Sequence, residues 1–117
     1  MAMKKGVTMT EEHSISDQLQ HLVIESVGIA LADLSETGQL LPFIVSVING
    51  EKALHRCVAE TFEEAEQKAR KQTALERQKA ERVVMIFDGI VNDDTTRYEA
   101  VIAEAFDGPE DSGVRFA

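Results

Sequence analysis

Apolar residues recur at helical spacing early in the chain. Leu19, Leu22, Val23, Ser26, Val27, Ala30, Leu31 and Leu34 form one stripe. This predicts an amphipathic helix starting near Ser14 or Ser16, where a hydroxyl can accept from the first free N–H groups. Gly38 is placed to end it, because the residue past a helix end commonly needs positive φ. Ile24 and Ile29 fall off the stripe, so the apolar surface is wider than one sheet contact requires.

The pattern then changes. Phe43 to Ile48 is a β-favouring run, and Asn49-Gly50 behind it is a strong hairpin signal, so 40–60 reads as a β-hairpin. A two-residue turn sets Ile48 opposite Glu51, Val45 opposite Leu54 and Ile44 opposite His55. Phe43, Val45, Leu54 and Val58 then share one face, and Ile44, Ile48, His55 and Cys57 lie toward the other. Thr61-Phe62-Glu63-Glu64 is a capping box that opens a second helix, expected to reach about Lys79. Its inner stripe, Phe62, Ala65, Ala69 and Thr73, is mostly small, and the rest is mixed charge. The continuous run Val83 to Phe87 predicts a strand covered on both faces, within a strand from Arg82 to Val91. Tyr98 to Phe106 returns as another strand, and Val114 to Ala117 adds a short edge strand.

These elements predict a two-layer α+β domain, an antiparallel sheet of four or five strands with two helices, in the order α-ββ-α-ββ(β). The domain is expected over residues 14–117, after a flexible N-terminal tail at residues 1–13. With 44% hydrophobic and 28% charged residues, disorder over the whole length is not expected.

Charge narrows the partners. Asp and Glu number 21 against 12 Lys and Arg, a net charge of −9. Phosphate backbones and anionic membranes are bound by clustered cations, so neither nucleic acid nor membrane is expected as a partner. The single cysteine, Cys57, cannot make an intramolecular disulfide, and no Cys/His cluster is spaced for zinc. No apolar stretch follows Lys4 and Lys5 as a secretory signal requires, so a cytoplasmic location is expected.

Candidate chemistry is sparse. His55 and Cys57 sit two apart on one strand face, the spacing of an activated thiolate, with no third orienting group placed nearby. The ordinary reading is a buried thiol beside a half-exposed imidazole. Asp88-Gly89-Ile90-Val91-Asn92-Asp93-Asp94 gathers hard oxygen ligands suited to calcium or magnesium. It lacks the EF-hand spacing, and the same residues build hairpin ends. His21 borders the first helix stripe, where a packed or rim histidine is the ordinary reading. Glu99 and Glu104 face opposite sides of one strand and form no carboxylate pair. No phosphate loop or dinucleotide fingerprint is present, and no cofactor is expected.

Leu41-Pro42-Phe43, Asn49-Gly50-Glu51, Val58-Ala59-Glu60, Glu64-Ala65 with Ala69-Arg70, and Phe87-Asp88-Gly89 with Arg97 and Glu104 resemble a family of small bacterial proteins with no assigned function. The resemblance covers roughly 38–117 and implies the same fold and a bacterial origin, with no activity or site. In size, acidity and element order the chain is also similar to type III secretion chaperones, which are dimeric α+β proteins, but it lacks an evident C-terminal helix.

Missing catalytic motifs, acidity and apolar residues on both strand faces lead to one expectation: a non-catalytic protein-binding or structural protein, acting as a homodimer or with an unidentified protein partner. The expected interface residues are Ile24, Ile29, Ile44, Ile48 and Cys57, with the sheet face through Ile44 and Ile48 preferred over the first helix. The alternative is a small-ligand or metal-dependent enzyme with its site near Asp88 to Asp94 or at His55 and Cys57.

Overall fold

The computed structural model describes residues 16–92, 96–109, 111 and 113–116. The expected tail and Ser14 lie outside them.

Helix α1 spans Asp17–Thr37. Ser16 caps it, its hydroxyl oxygen accepting from the Leu19 N–H at 3.1 Å. The Ser16 N–H and hydroxyl in turn donate to the Asp107 carboxylate at 3.2 and 3.0 Å, which ties the helix start to the far end of the chain. Gly38 closes the helix at φ 75°, donating its N–H to the Leu34 carbonyl.

Strands β1 (Phe43–Ile48) and β2 (Glu51–Arg56) form the hairpin, with the register derived from the turn. Asn49 at φ 52° and Gly50 at φ 79° take the two left-handed positions of a type I′ turn. Helix α2 (Phe62–Glu76) starts at the Thr61 cap, whose hydroxyl accepts from the Glu64 N–H at 3.1 Å. It stops three residues before the expected Lys79. Strands β3 (Arg82–Asn92), β4 (Arg97–Phe106) and β5 (Val114–Phe116) complete a five-stranded sheet in the order β2-β1-β3-β4-β5, each neighbouring pair antiparallel. The protein is an α+β domain with the element order that the sequence predicts.

The layering differs from the expected arrangement. The two helices lie on opposite faces of the sheet, not together on one. Leu19, Leu22, Val23 and Ala30 of α1 pack on Phe43, Val45, Val84, Ile86 and Phe116. Ala69 of α2 packs on Ile44, Val83, Met85, Phe87 and Ile102 from the other side. The second face is built from large strand residues meeting small helix residues. Ala65, Ala69 and Thr73 are the buried positions of α2, so its backbone sits close to the sheet. This is why β1 and β3 are apolar on both faces. It also exposes Phe62, which the spacing had assigned to the inner stripe.

Neither helix covers β2. All six of its residues are exposed, while five of the six in β1 are buried. Among the described residues, no helix is long and apolar enough to cross a membrane.

Candidate functional site

The main surface feature is a groove between α1 and the uncovered edge strand β2. Gly28, Ile29 and Ala32 of α1 form one wall, Ala53 and Leu54 of β2 the other, and Val45 the floor, around about 560 Å³. Two ion pairs bridge it. Lys52 reaches Glu25 with Nζ 2.7 Å from Oε1, and Arg56 grips Asp33 through two nitrogens at 3.1–3.3 Å. Both form together because the spacings match. Eight helical residues rise about 12 Å and four strand residues about 13 Å. Leu54 lies between the two pairs, 39% exposed.

Above the groove, the outward face of α1 carries two large apolar residues. Ile24 is 41% and Leu31 56% exposed, seven residues and two turns apart on one side. Gly28 lies between them, and a Cβ built there would meet nothing within 4 Å. α2 also exposes two large apolar residues, Phe62 and Leu75, but they stand at opposite ends of the helix, with the exposed Glu63, Glu64, Lys68 and Lys71 between them.

The structure redistributes the expected interface residues. Ile24 is on this surface, and Ile29 is half-buried against the core while lining the groove. Ile44 at 1% and Cys57 at 4% exposure are core residues, and Ile48 packs beside them. The face through Ile44 and Ile48 is therefore not open, because α2 covers it. Leu31 moves the other way, from the expected core stripe to the surface. Ala30 and Leu34 both face the core, whereas Leu31, about 100° round the helix from Ala30, turns off the buried face. Leu31, Leu54 and Gly28 are the positions that sequence reasoning missed. The signal for the first was the i, i+7 pair Ile24 and Leu31 flanking a glycine.

His55 and Cys57 do not make an activated pair. Burial pushes the Cys57 thiol up from its ordinary range and outweighs the lowering by Lys68, so the thiol stays protonated. Cys57 donates its backbone N–H to the Pro42 carbonyl at 2.8 Å, a hairpin-end contact. Asp88 stands on β3 with its carboxyl partly desolvated, and that partial burial first, then Glu99 and Glu66, raise it above its ordinary range. Asp93 and Asp94 lie outside the described residues. Among the described residues, no three His, Cys, Asp or Glu side chains come together as a metal group. His21 is an exposed rim residue, lining a second hollow beside Ile24. Glu104 is structural: it accepts from Arg70 at 3.2 Å, and Arg115 stands 3.8 Å away. Both arginines lie over the Phe87 ring, at 5.1 and 5.8 Å.

The chain matches no family model, no curated protein and no solved structure.

Proposed function

We propose that this protein is a non-catalytic binding domain that pairs with a second copy of itself through the outward face of α1 and the edge strand β2. The observation that carries this reading is the uncharged apolar stripe Ile24, Gly28, Leu31, continuous with the groove at Leu54.

Charge favours a second copy meeting here. Two chains of net charge −9 repel wherever their carboxylates are unpaired. On this face the acids Glu25 and Asp33 are each matched by a cation, Lys52 and Arg56. An antiparallel two-fold pairing of α1 brings Ile24 of each copy near Leu31 of the other. Gly28 then lies at the crossing, where the missing side chain permits close approach.

The magnitudes set the strength. The exposed parts of Ile24, Leu31 and Leu54 amount to roughly three whole side chains over two copies, or about 4–8 kcal/mol at ~1.5–3 per side chain. Association itself costs about 4–15 kcal/mol. The pairing on these contacts is therefore weak, about millimolar at best, and concentration decides how much forms. Sedimentation equilibrium with Leu31→Asp as the disrupting variant tests it.

A further inference from the structure

The opposite side of β2 carries a second feature, independent of the α1 face. A pocket of about 330 Å³ lies between the end of β2 and α2, lined by His55, Arg56, Cys57, Val58, Lys68, Lys71 and Gln72. None of these seven residues is acidic, although acids outnumber Lys and Arg in the chain by 21 to 12. Lys68, Lys71 and Gln72 share one helix face by their i, i+3, i+4 spacing. His55 points the same way from the strand, on the α2 side of the sheet with its partner Ile44.

We propose that this pocket binds a phosphate group, with Lys68, Lys71 and His55 as its ligands.

Arg56 is committed to Asp33 on the other face, and the Gln72 amide donates to Glu76 at 2.9 Å. Neither counts as a ligand. Lys68 donates one N–H to the Val58 carbonyl at 2.8 Å, which holds its ammonium at the pocket and leaves two donors. Lys71 and His55 make no hydrogen bond or ion pair among the described residues. Glu60 and Glu64 line the adjoining hollow with Lys68 and Lys71, and among the described residues neither forms an ion pair with them. The thiol at Cys57 stays neutral and does not consume the lysines' charge. Two ammonium groups and an imidazole edge suit a tetrahedral dianion better than a carboxylate, because three separate donors can each meet a different oxygen. The volume is at the lower end for a ligand site, which limits the ligand to a small phosphate or the phosphorylated end of a small metabolite.

The experiment is an amide chemical-shift titration of the whole chain at low salt, with inorganic phosphate in one arm and a sugar monophosphate in the other. Sodium acetate at matched ionic strength is the control. The expected result is saturable shifts at His55, Cys57, Lys68 and Lys71 with phosphate and none with acetate. Tighter saturation with the sugar phosphate would place a metabolite in the pocket, and equal saturation would place free phosphate there. Lys71→Ala, at an exposed position that leaves the fold intact, weakens binding by roughly tenfold or more, the effect of losing a charge-assisted contact. Shifts that do not saturate, that acetate reproduces, or that Lys71→Ala leaves unchanged would overturn the proposal.

Discussion

The ammonium of Lys52 on the edge strand lies 2.7 and 2.9 Å from the two carboxylate oxygens of Glu25 on α1. Both side chains are more than half exposed, so the pair contributes little to folding, about 0–1 kcal/mol. Its consequence is electrostatic: it leaves the groove rim neutral in a strongly acidic protein. Lys52→Glu puts two unpaired carboxylates there in each copy. The expected outcome is a melting temperature close to wild type and a self-association at least tenfold weaker at low salt, partly restored by added salt. Equal association by the two proteins in sedimentation runs would show that this charge is irrelevant to pairing.

Ile44 belongs to folding, not to pairing. It is 1% exposed beneath α2, against Met85 and Ala69. Ile44→Ala should lower stability by about 2–5 kcal/mol in denaturant unfolding, because α2 relaxes only partly into the cavity. A loss below about 0.5 kcal/mol, the size of a surface substitution, would mean that α2 does not cover this face.

Gly113 faces the ring of Phe106. A Cβ built on it falls 2.4 Å from the ring edge, at a φ of 91° that side chains rarely adopt. The ring cannot swing away freely, since the Arg77 guanidinium lies 4.0 Å from its centroid and donates to the Pro109 and Asp111 carbonyls. Gly113→Ala is expected to cost more than about 1 kcal/mol and to loosen β5. Hydrogen exchange at Val114 to Phe116 is the direct readout, and unchanged protection would be the contrary result.

Asp88 gives a pH-dependent prediction with a defined sign. Burial, then Glu99 and Glu66, raise its carboxyl above the ordinary 3.8. The folded state thus holds this proton more firmly than the unfolded chain. The resulting stabilisation is fully present below about 3.8 and is lost as pH rises through the raised value. At neutral pH the ionised group is a cost. Asp88→Asn should melt higher than wild type near pH 7, with the gain shrinking as the pH falls to about 3.5. A gain independent of pH would assign the effect to something other than charge.

Local signals in the sequence were enough to define the elements. Asn49-Gly50 determines the turn and therefore every pair in the first hairpin, down to Ile44 opposite His55. The Thr61 cap locates α2, and Ser16 and Gly38 bound α1. The side on which α2 packs was not legible. Its contact residues are Ala65, Ala69 and Thr73, which carry almost no hydrophobic signal of their own. The information sat instead in β1 and β3, where Ile44 and Met85 alternate with Val45 and Val84 and both sets are large. Leu31 shows the same problem from the other side. A leucine at helical spacing reads as core from sequence, and only the direction in which α1 faces the sheet decides which side of the stripe is buried.

Self-association through α1 is decided by sedimentation equilibrium of wild type and Leu31→Asp from about 10 micromolar to about 1 millimolar. Leu31 is 56% exposed, so the substitution should leave the circular dichroism and melting temperature near wild type. The expected result is a wild-type mass that climbs above 12.9 kDa as concentration rises, and a variant that stays at 12.9 kDa. A folded wild type that remains monomeric at every concentration, or a variant that dimerises as well as wild type, would contradict it.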